Sequence, residues 1–147
     1  MVQLENRKKS ISESEMLEFE SLFLTVLPES FKAYYYINNG GHLSEEDNEA
    51  GLWGLPVGGF NSIKYGSVPI EQLLSDIGDI GKIGDGGYYK LGSYVPFAYD
   101  DGGHTIFLSL NDEDYGCVFI FEFDFDEIEA VKISDSFSEF IKKLYRQ

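Results

Sequence analysis

Tyr94-Val95-Pro96-Phe97-Ala98-Tyr99 and His104-Thr105-Ile106-Phe107-Leu108-Ser109-Leu110 flank an acidic double-glycine turn, Asp100-Asp101-Gly102-Gly103. In the second run Ile106, Leu108 and Leu110 alternate with Thr105, Phe107 and Ser109. Further on, Cys117, Phe119, Phe121, Phe123 and Phe125 alternate with Val118, Ile120, Glu122 and Asp124. A period of two is that of a β-strand, whose successive side chains point to opposite faces. The intervening segments, Asp101 to Gly103, Asn111 to Gly116 and Asp124 to Glu127, are short and rich in turn formers, which favours antiparallel hairpins over crossovers. With a last strand from Ile128 to Ile133, the C-terminal half reads as an antiparallel meander. One of its faces is aromatic throughout, and the other turns acidic toward its end.

Upstream the period changes to that of a helix. Ser12 and Glu15 have the spacing of a capping box, in which each side chain satisfies an amide at the helix start, with Ile11 and Met16 at the staple positions. Met16, Phe19, Phe23 and Leu27 then follow one side at helical spacing, so a first helix is expected to run until Pro28 forces Leu27 into an extended conformation. Pro28 suits the first position of a second helix. That helix carries Phe31, Tyr34 and Tyr35 and ends at Asn38-Asn39-Gly40-Gly41, where glycine supplies the left-handed conformation of a C-cap.

After a polar acidic loop, Gly51-Leu52-Trp53-Gly54-Leu55 reads as a short strand. A third helix is expected over Pro69 to Ile77, because Ile70, Leu73, Leu74 and Ile77 recur at i, i+3, i+4, i+7 and Gly78 closes it. The glycine-rich run Gly78 to Gly87 is expected to be a loop. It is no phosphate loop, since Lys82 lacks a following Ser or Thr and the glycine spacing is wrong. A C-terminal helix opens on Ser136 and Glu139, buries Phe137, Phe140, Ile141 and Leu144, and carries Lys142, Lys143 and Arg146 where they complement the macrodipole.

The 147 residues are the size of one domain, and such a chain buries roughly 70% of the surface its unfolded form exposes. A single domain over residues 1–147 is therefore expected, with 1–11 as a loosely ordered N-terminal arm. A hydrophobic share of 43%, with 12 Phe and 10 Tyr, argues against disorder despite the charge. The lone Cys117 excludes an internal disulfide framework and fits a reducing compartment. Arg7, Lys8 and Lys9 are followed by Ser12, Glu13, Ser14, Glu15 and Glu18 where a signal peptide needs an apolar region, and no run approaches the roughly 18 apolar residues of a membrane span. A cytoplasmic protein is expected.

A formal charge of -15 makes nucleic acid a poor partner, because phosphate binding rests on Lys and Arg displacing counterions. Solubility alone accounts for much of such a charge. Its distribution adds a second reading: Lys and Arg are absent from Ala33 to Ile63 and again from Leu91 to Val131, where ten Asp or Glu stand. Acids gather at Glu45, Glu46, Asp47 and Glu49, at Asp112, Glu113 and Asp114, and from Glu122 to Glu129. A one-signed field of this kind steers a basic protein partner.

Catalytic and metal readings find little support. His42 and His104 each follow a Gly-Gly pair, but neither has Cys or carboxylate at ligand spacing, so loop histidines are the better reading. Asn111, Glu113, Gly116 and Glu122 mimic the offsets of a calcium loop, yet Tyr115 occupies a ligand slot and a strand follows where a helix is required. Asp100 and Asp101 lack a positioned base or metal set and are explained by the turn they form with Gly102 and Gly103. Cys117 has no basic neighbour in sequence and reads as a small buried hydrophobe. No catalytic residue, metal site or cofactor is assigned.

Taken in order, Leu27-Pro28, the helix end Asn39-Gly40-Gly41, Val95 through Gly103, Tyr115-Gly116-Cys117-Val118, and Asp135-Ser136-Phe137 with Phe140 resemble the SUKH superfamily, which includes the yeast cell-wall assembly regulators and many bacterial immunity proteins. The resemblance extends from about Ser12 to Leu144. Between Gly41 and Pro69 no family word is present, so strand placement there stays open. The resemblance implies an α+β fold in which an antiparallel sheet of roughly four to six strands packs with N-terminal helices and a C-terminal helix. It implies, for bacterial members, a non-catalytic immunity protein that binds and neutralises a cognate toxin domain, often a nuclease. An intracellular regulatory scaffold like the cell-wall assembly regulators is the alternative. Since many toxins that act on nucleic acid are basic, the partner-binding residues are expected among Glu45, Glu46, Asp47, Asp112, Glu113 and Asp114; Trp53 is included as a residue type favoured at interface anchors, although a Trp is more often a core residue. The oligomeric state is open.

Overall fold

A computed structural model describes residues 4–42, 57–83, 87–100, 102–123 and 128–144. Four helices and seven strands are described: α1 (Glu13–Glu20), α2 (Glu29–Ile37), β1 (Gly59–Phe60), α3 (Ile70–Ile77), β2 (Ile80–Ile83), β3 (Gly87–Tyr89), β4 (Tyr94–Tyr99), β5 (Thr105–Ser109), β6 (Val118–Phe123), β7 (Ile128–Ser134) and α4 (Phe137–Leu144). Five strands form one antiparallel sheet in the order β1-β4-β5-β6-β7, and β2 pairs with β3 in a separate hairpin. The fold is α+β, with the expected meander at its centre.

Register in the meander places Val95, Leu108 and Val118 in one row, and Pro96, Phe107 and Phe119 in the next row on the opposite face. Both rows are covered. Phe97 continues the face of Val95, where its ring meets Phe31 of α2 and Phe137 and Phe140 of α4 edge-on at 5.3–6.1 Å, and a bulge between Pro96 and Ala98 sets Ala98 opposite Ile106 on that same face. Across the sheet, Tyr89 of the small hairpin meets Phe107 edge-on at 4.9 Å, and Phe107 stacks on Phe119 and Phe121. Tyr94 donates its hydroxyl to the Gly78 carbonyl at the end of α3 at 2.6 Å. The alternation in β6 thus separates two buried layers along Val118 to Phe121, with Val118, Ile120 and Phe121 all buried.

Local signals placed most elements. Ser12 caps α1 reciprocally with Glu15, as the spacing required. Pro69 precedes α3, and Gly78 ends it at φ 66°. Ser136 Oγ accepts from the Glu139 amide at 3.1 Å to open α4. Pro28 stands just before α2 rather than inside it.

Two expectations are corrected. The apolar period from Met16 to Leu27 does not form one helix: α1 ends at Glu20, and Phe23 and Leu27 reach the core from a loop. In that loop the helical ladder loses to tertiary partners, since the Leu24 amide bonds the Gly92 carbonyl at 2.9 Å and the Leu27 amide bonds the Glu20 carboxylate at 3.0 Å. The glycine-rich run read as a loop contains β2 and the start of β3.

Residues 4–11, expected as a loose arm, lie against the body. Leu4 and Ile11 are buried, Glu5 forms a bridge with His42, and the Lys8 amide bonds the Asn39 carbonyl at 2.9 Å. Among the described residues no helix is long and apolar enough to cross a membrane.

Candidate functional site

The Asn111–Cys117 turn between β5 and β6 is braced from within. Asn111 and Ser109 accept from the backbone amides of Asp114 and Gly116 at 3.3 and 2.9 Å, while Cys117 donates to the Asp114 carbonyl at 3.0 Å. Gly116 closes the turn at φ 85°, a conformation that costs glycine no steric strain. Asp114 is the strut of this turn. Its carboxylate accepts from the Tyr89 hydroxyl at 2.5 Å and from the Ser109 hydroxyl, which joins the turn to β3 and β5. Burial and then the Asp114 carboxylate push the Tyr89 phenol well above its usual pKa, so the phenol stays a donor.

With Asp114 held inward, Asp112 and Glu113 remain exposed at the tip. The sequence-predicted acidic trio therefore divides: two carboxylates face solvent, and the third is engaged inside the fold. Glu45, Glu46, Asp47 and Trp53 lie outside the described residues.

Tyr115 anchors the other flank of the turn. Its hydroxyl donates to the Val26 carbonyl at 2.6 Å, across 89 positions of sequence. Burial, and then the nearby Glu20 carboxylate, raise the pKa of this phenol. Glu20 also pairs with Lys32 at 3.3 Å, and Lys32 reaches Glu29 at 3.1 Å. Glu29 is the first cause of the raised pKa of Lys32. The acidic turn, the α1–α2 loop and the start of α2 are consequently one continuous surface.

The remaining candidate groups have structural partners. Asp100 accepts from the Gly102 amide at 3.0 Å, the His104 amide at 2.7 Å and His104 Nδ1 at 2.9 Å. Burial opposes its ionisation, but these His104 and Gly102 donors outweigh it and hold the carboxyl below its ordinary range. The acid thus serves the turn for which its sequence position suited it. His42 Nε2 receives a hydrogen bond from Asn6 Nδ2 at 2.8 Å, beside a cleft of about 450 Å³ that Lys8, Asn61 and Tyr99 also line. Ser62 and Ser67 line the same cleft, and the Ser62 hydroxyl donates to the Tyr65 carbonyl. Burial raises the Cys117 thiol pKa against the opposing pull of Lys132, which suits an inert side chain. Among the described residues no group of three or more His, Cys, Asp or Glu is placed to hold a metal ion.

The hydrogen-bonded turn thus projects two carboxylates from a strongly negative chain. No match was found among curated proteins. Comparison with protein families matches residues 10–143 to the SMI1 / KNR4 family (SUKH-1), a span that includes the whole five-stranded sheet and all of the helices described above except the last residue of α4. The chain belongs to the SMI1 / KNR4 family, SUKH-1.

Proposed function

We propose that the protein is an immunity-type inhibitor that binds a cognate toxin domain in the cytoplasm and silences it without performing chemistry. Family membership supports this class of role, and the observation that carries the reading is the Asn111–Cys117 turn. Asp114 is committed inward to Ser109 and Tyr89, so Asp112 and Glu113 are displayed from a braced support. Preorganised charge lowers the ordering cost of binding and favours a partner of opposite sign. With a net charge of -15 behind it, this tip selects a basic toxin and repels nucleic acid. Glu45, Glu46, Asp47 and Trp53 are proposed as further partner contacts on side-chain type and charge alone.

The test is growth rescue. The product of the adjacent upstream reading frame should arrest growth when expressed alone, cells should survive when this protein is co-expressed, and the two purified proteins should elute together. Binding without protection would instead support the regulatory scaffold resembling the cell-wall assembly regulators. Absence of binding at low salt would overturn both readings for that partner.

A further inference from the structure

The loop that replaces the expected end of α1 turns its apolar side chains in two directions. Phe23 and Leu27 enter the core, while Leu22, Leu24 and Val26 are 49, 75 and 62% exposed. Two long-range bonds fix them in place: the Leu24 amide to the Gly92 carbonyl, and the Tyr115 hydroxyl to the Val26 carbonyl. These bonds bring Leu91 and Tyr115, 50 and 41% exposed, beside the loop. Gly92 permits the approach: it stands at φ 98°, and a Cβ there would meet Leu24 Cγ at 3.3 Å. Scattered exposed apolar residues need no explanation, but five on three segments tied to one another form a contiguous patch, which marks an interaction surface.

The rim of this patch is acidic. Asp112 and Glu113 precede Tyr115 in its own turn, Glu29 stands just beyond Val26 at the start of α2, and Asp79 accepts the Leu91 amide at 2.7 Å. Of the bases nearby, Lys32 is engaged by Glu20 and Glu29, and Lys90 precedes Leu91. A second copy of this chain would set acid against acid and is disfavoured. We infer that Leu22, Leu24, Val26, Leu91 and Tyr115 form the anchoring centre of the partner-binding surface. The occupant is a basic protein that inserts an apolar or aromatic side chain flanked by Lys or Arg. This deepens the inhibitor reading and rests on it for the partner's identity. Interfaces concentrate their energy in a water-excluded apolar centre and take association rate and specificity from a charged rim, and the two parts lie together here.

The test uses the full chain labelled with 15N and two probes. One is a synthetic peptide with a central Trp-Leu pair flanked on each side by two Lys; the other has Ser in place of Trp and Leu. Amide shifts from the first peptide should cluster at residues 22–26, 91–92 and 112–116, and the Ser peptide should bind at least about tenfold more weakly. L24S/V26S should lower affinity for the Trp-Leu peptide about tenfold or more, while I37S should not. Ile37 lies at the opposite end of α2, roughly 12 Å along the axis from Glu29. All three changed side chains are exposed, so the unfolding midpoint should hold and report intact folding. No binding, equal binding of both peptides, or shifts elsewhere would overturn the assignment. The toxin supplies a separate arm. A toxin that binds wild type and L24S/V26S equally would refute this surface and leave the inhibitor reading standing. A peptide that maps to the patch while the toxin ignores every form would uphold the surface and remove the toxin reading.

Discussion

At Glu15, one carboxylate joins a local signal to a distant one. It accepts the Ser12 amide at 2.9 Å as the capping spacing required, and it also takes Lys64 Nζ at 2.8 Å and the Tyr65 hydroxyl. Lys64, then Tyr65 and the Ser12 amide, lower its pKa from 4.5 to about 2. A depressed folded-state value means that the stability Glu15 contributes is fully present above its ordinary pKa and is lost as pH falls through about 2. Glu15→Gln should therefore be less stable than wild type in urea at pH 7, and the difference should close between pH 4.5 and 2. Asn39 shows the same division. Its position marks the end of α2 in sequence, but its buried amide also donates to the Lys9 and Ile63 carbonyls at 2.8 and 3.0 Å and accepts the Ile63 amide at 2.7 Å. Asn39→Ala should cost about 3 kcal/mol in chemical unfolding, because it leaves buried backbone groups unpaired. The capping and helix-stop roles are local and were legible; partners 24 to 50 residues away were not.

Elements were legible where a local stop agreed with the packing. Pro69 and Gly78 bracket α3, and Ser136 opens α4. Ser136→Ala should lower stability by about 1 kcal/mol, read from the thermal midpoint. The end of α1 was misread because Phe23 and Leu27 keep helical spacing although a loop delivers them to the core. Periodicity reports which residues are buried, and two backbone paths can bury the same set. The Glu20 carboxylate is a local partner for the loop, but the Gly92 carbonyl that takes the Leu24 amide is remote in sequence, and the residues near Leu24 do not encode it. The β2–β3 hairpin was missed for a related reason: glycine has low strand propensity, and Tyr89 is held there by Phe107 and Phe119. Gly92→Ala should loosen the α1–α2 loop, visible as faster hydrogen exchange at the Leu24 amide with exchange in β5 little changed.

Over the whole molecule, the family and the meander were readable because their marks follow one another in sequence. The acidic character of residues 112–114 was equally plain. Its division into a half-buried, hydrogen-bonded strut and an exposed tip was not, because Tyr89 and Ser109 make it. The apolar patch beside that tip was hidden altogether, since it exists only where Tyr115 reaches Val26 and Leu24 reaches Gly92. Together these features describe a negatively charged tip beside exposed apolar side chains, the surface on which the proposed capture of a basic protein rests. The most direct measurement is the association rate of the purified toxin with wild type and with D112K/E113K at low and high salt. Steering by the acidic tip should make wild type associate about 10-fold or more faster than the variant at low salt, with the gap shrinking as salt rises. Equal rates at every salt concentration, with binding intact, would contradict a docking surface centred on this turn.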